Sequence, residues 1–232
     1  MTARARRRPD AAGRRALRLY RPTPLAVRAH VAIRWFSAPF PPIAAALPRA
    51  GRVLEIGCGH GLFSAYAALA EPGRDVLGVD IDGDKIAAVH DAVQGVGRLE
   101  LRVAPDGAVP AGPWDAVVFV DVLYLLGADD QRRLLAEAVR SLAPGGSVVV
   151  KEMGTQPRWK VRWNTIQETL SVKVLRITEG SEFDFVDPQT MAAWLRDLGL
   201  TVELRRLDAG RVHPHHLLVA RREVAAAQDA TG

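Results

Sequence analysis

The sequence predicts an α/β fold, a parallel sheet doubly wound with helices on both faces, from three observations. Apolar runs of strand length recur at 52–56, 75–80, 98–103, 115–120 and 146–151. Helix-like stretches at 62–70, 83–94 and 129–142 separate most of them, the alternation that builds βαβ units. The first run leads directly into "VLEIGCGHGLF" (53–63), where Gly57, Gly59 and Gly61 alternate just before a helix. Glycine costs about 1 kcal/mol in regular structure, so such a cluster marks positive φ or the close approach of a ligand. A strand, a glycine turn and a helix N-terminus form the usual cradle for a nucleotide-like ligand. For the glycines alone, a tight turn without a ligand is the alternative.

Along the chain, residues 1–21 read as a disordered basic arm, and 25–37 as a short helix ending near Pro39. The interval "APDGAVPAGP" (104–113) reads as loop. "LAPGG" (142–146) stops the helix before the fifth strand and turns into it. Asp187-Pro188 opens a helix over 188–198 that Gly199 closes. "TVELRRL" (201–207) and "HHLLVARR" (215–222) read as two strands joined by a turn at 208–210. The expected organisation is a single domain over 22–222, with 155–186 inserted after the fifth strand and a frayed tail at 223–232. Within the insertion, Trp159, Trp163, Ile166, Leu170, Val174 and Ile177 share one helix face. That helix either roofs a substrate pocket at the carboxyl ends of the strands or packs on the core.

Composition narrows the functional classes. At 232 residues and 48% hydrophobic, the chain has enough apolar material for one sizeable core. Ten Arg fall within residues 1–34 against a single acid, Asp10, so this segment carries +9 while the chain as a whole carries +5. The body is therefore mildly acidic, and the arm is either a solvated leader or a weak contact for anionic membrane or nucleic acid. Cys58 is the only cysteine, which excludes an internal disulfide and fits a reducing cytoplasm. The most apolar stretch, 30–47, contains Arg34 and three prolines and does not read as a membrane span.

The glycine spacing selects the ligand. Dinucleotide enzymes use G-x-G-x-x-G, whereas this turn reads E-x-G-x-G-x-G with Glu55 two residues before the first glycine. A carboxylate there opposes a pyrophosphate and attracts a cation such as an amino-acid ammonium. "LGVDID" ends the second run, placing Asp80 where a carboxylate accepts ribose hydroxyls. Ribose plus ammonium without pyrophosphate points to S-adenosyl-L-methionine.

With these residues in view, the sequence resembles the class I S-adenosylmethionine-dependent methyltransferases. The resemblance covers 50–152 well and 187–221 loosely. "VLEIGCGHG" is similar to the family's first motif, "GVDID" to its ribose-binding motif, and "WDAVVFVDVLYLL" and "LAPGGSVVVKE" to its fourth- and fifth-strand motifs. It implies a seven-stranded, mostly parallel sheet with an antiparallel last strand. It further implies that Glu55, Gly57, Cys58, Gly59 and Gly61 hold the methionine part of the cofactor, and that Asp80 and Ile81 hold the ribose and adenine. Asp106 and Gly107 then reach the adenine amino group, while Asp121 and Val122 line the cofactor near the sulfonium.

Methyl transfer from a sulfonium is an in-line displacement with a good leaving group, so positioning and exclusion of water supply much of the catalysis. A base is required only if the acceptor carries a proton. His30, in the N-terminal segment that often covers the site in this family, is a candidate, as are Asp121 and Tyr124. His60 is expected to shape the cofactor site and His90 to lie on a surface helix. No carboxylate cluster resembles a divalent-metal site. "DVLYLL" stands where base-amine nucleic-acid methyltransferases carry N/D-P-P-Y/F. The expectation is a small apolar or aromatic acceptor, with Trp159, Trp163 and His30 on its side of the site, in a monomer or homodimer. An RNA or protein methyltransferase, or a catalytically silent cofactor-binding protein, is the alternative.

Overall fold

The computed structural model describes residues 8–153, 184–207 and 215–223. Seven strands, β1 (Ala50–Ile56), β2 (Gly73–Asp80), β3 (Leu99–Val103), β4 (Trp114–Val120), β5 (Leu142–Met153), β6 (Leu200–Arg206) and β7 (His215–Arg222), form one sheet in the order β3-β2-β1-β4-β5-β7-β6. The first five are parallel; β7 runs antiparallel to both β5 and β6. The chain reverses its direction of growth between β1 and β4, and the crevice beyond the carboxyl ends of these strands is where open α/β sheets bind ligands.

Period-two alternation sends each strand's side chains to two separate cores. Val53, Val76, Ala116, Val118, Val149 and Val219 face one side, and pack with α1 (Ala11–Leu19), α2 (Leu25–Ser37), α3 (Phe40–Ala44) and α4 (Leu62–Ala70). Leu54, Leu77, Val117, Phe119, Val148 and Leu218 face the other, against α7 (Ala128–Arg140) and α8 (Pro188–Asp197). The central strands can be apolar on both sides because both sides are covered. Asp187 caps α8 through Gln189 N, and Pro188 follows it where a missing N–H costs nothing. Buried Arg74 ties the first layer together by donating to Pro48 O (2.7 Å), Ala67 O (3.1 Å) and Ala44 O (2.8 Å), carbonyls at or near the C-terminal ends of α3 and α4.

Three expectations need correction or restriction. Residues 11–19 of the supposed disordered arm are helical, with Asp10 as N-cap accepting from Gly13 N at 2.7 Å. Ala16 and Tyr20 are buried against α4, and Asp10 also accepts from the Tyr66 hydroxyl at 2.9 Å. The arginines occupy the opposite face, so net charge averaged over the segment concealed an amphipathic helix. The single helix expected over 83–94 is two short ones, α5 (Gly83–Ala87) and α6 (His90–Val93), separated where Val89 leaves helical geometry at φ −125°. β5 begins at Leu142, earlier than expected, because Leu142 already pairs with Trp114. Trp159, Trp163 and the rest of the insertion up to 183 lie outside the described residues, as do the turn at 208–210 and the tail from 224.

Candidate active site at the carboxyl ends of the strands

A cavity of about 630 Å³ opens beyond the carboxyl ends of β1, β2 and β4 and is overlaid by α2. This is an ordinary size for a site that takes a small molecule or cofactor. The sequence-derived candidates Glu55, Gly57, Cys58, Gly59, Asp80 and Ile81 line it from one side. Asp106, Gly107 and Asp121 line it from the loops after β3 and β4, and His30 from α2. Gly61 is not on the wall. It is the N-cap of α4 at φ +68°, and a Cβ there would lie 2.4 Å from Leu101 Cδ1.

The turn's shape explains its glycines. Gly57 has φ +74°, and an added Cβ would sit 2.3 Å from Val122 Cγ2, so a side chain is excluded by both conformation and neighbours. At Gly59, φ is +56°, and an added Cβ would meet nothing within 4 Å. The backbone is therefore bare towards open space, the condition for close approach by a ligand. Two contacts brace the turn: the Tyr20 hydroxyl donates to His60 O at 2.7 Å, and Asp80 Oδ2 accepts from Gly59 N at 2.6 Å. Asp80 Oδ1 accepts from Asp82 N at 2.9 Å, leaving further lone pairs on both oxygens.

Glu55 is buried at the end of β1 and accepts a hydrogen bond from the Ser64 hydroxyl. Burial pushes its carboxyl up to about 7, against the lowering effects of Ser64 and Arg34. A buried carboxylate in this condition gains from a cation brought beside it. The same site holds two neutral imidazoles, His30 and His60, with ring centroids 4.9 Å apart. Burial, reinforced by the neighbouring His60, Arg34 and Lys85, takes His30 down to about 4. Nδ1 of His60 is buried and has no hydrogen-bond partner among the described residues. Cys58 is a free, buried thiol that burial pushes well above its ordinary range.

One constellation was not anticipated. Asp121, at φ +55° just after β4, accepts from buried Lys151 through Oδ1 and from Arg34 Nη1 through Oδ2 at 3.0 Å. Burial raises the Asp121 carboxyl, but the two cations outweigh it and hold the group below the usual carboxylate range. The next residue on β5, Glu152, accepts from Leu123 N at 3.0 Å through Oε1. Its other oxygen is buried without a hydrogen-bond partner among the described residues, and burial with the Asp121 charge pushes its carboxyl up to about 8. Asp121 thus uses its side chain to join β4, β5 and α2 while also lining the cavity. "VVVKE" did carry a signal: two charges at the end of an apolar buried run require partners. Tyr124, on the turn Leu123–Leu125, lines the cavity with its ring stacked on Phe185 at 5.4 Å. His90 is exposed, as expected for a surface helix. Among the described residues, no group of three or more His, Cys, Asp or Glu could hold a metal, and no helix is long and apolar enough to cross a membrane.

Comparison with known proteins agrees with this geometry. A ubiquinone biosynthesis O-methyltransferase from Xanthomonas axonopodis pv. citri is 29% identical over 161 residues, covering 67% of this chain and 65% of the relative. The chain thus spans about two thirds of the length of that relative. An O-methyltransferase family protein from Burkholderia thailandensis shares the fold with a TM-score of 0.61 at 20% identity, over 86% of this chain and 57% of that one. The mitomycin 7-O-methyltransferase MmcR does so with a TM-score of 0.61 at 24% identity, over 85% of this chain and 56% of that one. Residues 28–204 match the family described as "Methyltransferase domain", and the chain belongs to that family, with the class I Rossmann-like architecture.

Proposed function

We propose that this protein is an S-adenosylmethionine-dependent methyltransferase acting on a small apolar or aromatic acceptor. The observation that carries the reading is the convergence of Glu55, the bare Gly59 backbone and Asp80 on one cavity. A buried carboxylate that makes no ion pair among the described residues suits the cofactor's ammonium, and the remaining lone pairs of Asp80 suit its ribose hydroxyls. Ile81, Asp106 and Gly107 then flank the adenine. Bound there, the cofactor supplies an electrophilic methyl group on a sulfonium.

The chain's own residues position the acceptor and exclude water. Val31, Phe40, Phe63 and Leu134 contribute apolar wall. His30, lowered by burial to about 4, is neutral at pH 7, so one ring nitrogen can accept a hydrogen bond from an acceptor hydroxyl and orient it, while its low basicity suits it to positioning more than to proton abstraction. The names of the relatives support oxygen as the methylated atom. A cytoplasmic setting, monomeric or homodimeric assembly, and weak docking of the exposed arginines of α1 on an anionic surface complete the proposal.

The test is transfer of a labelled methyl group from S-adenosylmethionine by the full chain, with cell extract separated into small-molecule, RNA and protein fractions. Label in the small-molecule fraction is expected. Label confined to RNA or protein replaces the acceptor class, and cofactor binding without transfer to any fraction makes the protein a silent binder.

A further inference from the structure

α2 carries an apolar face that no other described residue covers. Leu25 is 76% exposed, Ile33 60% and Phe36 54%, and Ala29 and Ala32 between them are exposed as well. At about 3.6 residues per turn these positions fall within an arc of roughly 100°. The arc lies on the side of the helix away from Val31 and Trp35, which the core buries. Among the described residues, the other large apolar side chains left exposed, Val103 and Leu198, are far apart in the chain. Single exposed apolar residues are ordinary on a protein surface, whereas a contiguous patch marks a contact.

One border of this face is basic. Arg28 flanks it on α2, and Arg21 lies in the turn that leads into it. Arg14, Arg15 and Arg18 are exposed on α1, which packs on α2 where Gly13 meets the Trp35 ring. None of these arginines makes a salt bridge among the described residues. Asp10 is the only acid from residue 8 to residue 37, and its carboxylate is taken by Gly13 N and the Tyr66 hydroxyl. The other border is the cavity: Ile33 lines it, and so do Ser37, His30 and Arg34, next around the helix.

We infer that α2 docks this protein on an anionic lipid bilayer, with Leu25, Ile33 and Phe36 entering its apolar boundary and the arginines on headgroup phosphates. A helix lying in the interface plane, apolar on one face and basic at its flank, binds such a surface by both contributions together. Charge complementarity selects this occupant. A second copy seated on the same face by a two-fold axis would bring Arg21 and Arg28 towards their own counterparts, without an acid to answer them. A nucleic acid would meet the arginines and leave the apolar face unused. Ile33 belongs both to the face and to the cavity wall, so docking sets the α2 side of the cavity at the lipid surface. On the methyl-transfer reading, on which this last step rests, an apolar acceptor then enters the cavity from the bilayer.

Co-sedimentation of the full chain with vesicles tests the docking without cofactor or acceptor. Vesicles of phosphatidylglycerol and phosphatidylcholine in equal parts are compared with phosphatidylcholine alone. The wild-type protein should prefer the anionic vesicles by about tenfold or more, and the preference should shrink as salt is raised. Leu25→Ser combined with Phe36→Ser should weaken binding about tenfold at an unchanged melting temperature, because both side chains face solvent in the free protein. Arg21→Gln combined with Arg28→Gln should weaken it by about tenfold or more and flatten the salt dependence. Absence of binding to the anionic vesicles overturns the inference. So does binding that the Leu25/Phe36 variant retains in full, which would leave plain electrostatic adhesion of the kind RNA also shows. A melting temperature that drops by several degrees in that variant overturns it too, since protein would then cover the face. Titration with S-adenosylhomocysteine reads the methyl-transfer reading separately: its failure removes the acceptor's route and leaves the docking to the vesicles.

Discussion

Replacing Glu55 by Gln removes one charge while keeping the side chain's shape and its contact with Ser64. In the unliganded protein the Glu55 carboxyl is raised by burial to about 7, so near neutral pH it is roughly half ionised. A bound ammonium favours the ionised form. Cofactor affinity should therefore rise as pH increases from 6 to 8, by about tenfold over the interval, with release of a fraction of a proton on binding near pH 7. Glu55→Gln loses one charge-assisted hydrogen bond, about 1.5–3 kcal/mol, or roughly 10- to 150-fold in affinity at pH 8. It should also flatten the pH dependence. The effect on folding has the opposite sign. A carboxyl whose folded pKa is raised stabilises the fold at low pH and loses that contribution as pH climbs through the folded value, so the Gln variant should be at least as stable as wild type at pH 8. Calorimetric titration with S-adenosylhomocysteine in buffers of different ionisation enthalpy reads affinity and proton release together. An unchanged Kd at pH 8, or a pH slope that persists in the variant, would refute the pairing of Glu55 with the ammonium.

Asp80→Ala should weaken S-adenosylhomocysteine binding by roughly 10²-fold, through lost ribose contacts and a released Gly59 N–H; an unchanged Kd in a folded variant removes the assignment. Deleting residues 1–20 strips the Ala16 and Tyr20 packing and the Tyr20 brace on His60 O, so both melting temperature and cofactor affinity should fall. A truncated protein that melts and binds like the full chain would return α1 to a dispensable arm. Asp121→Asn should destabilise by about 3–5 kcal/mol in urea unfolding, because buried Lys151 and Arg34 lose the carboxylate they share. Adding Lys151→Met should recover most of that loss, and a single-variant cost below about 1 kcal/mol would contradict the burial argument.

Much of the fold was legible because its signals are local. The strand runs, the glycine turn and Asp187-Pro188 each announce themselves within a few residues, and the described strands begin or end close to the expected positions. Glu55 and Asp80 were legible for the same reason, since each closes a strand at a fixed distance from the glycines. The misses have separate causes. α1 was hidden because its arginines and its buried Ala16 alternate along one segment, and a charge total does not distinguish faces. The α5–α6 break at Val89 has no Gly or Pro to mark it. The Arg34–Asp121–Lys151 cluster joins residues 87 and 30 positions apart in the chain, which only the sheet order brings together.

The central claim is that the cavity takes S-adenosylmethionine with its amino-acid end at Glu55 and its nucleoside at Asp80. A crystal structure of the full chain with S-adenosylhomocysteine tests it most directly. The account predicts the ligand's ammonium within hydrogen-bonding distance of the Glu55 carboxylate and its ribose hydroxyls on Asp80. A ligand bound in the reverse orientation, or outside this cavity, would contradict it.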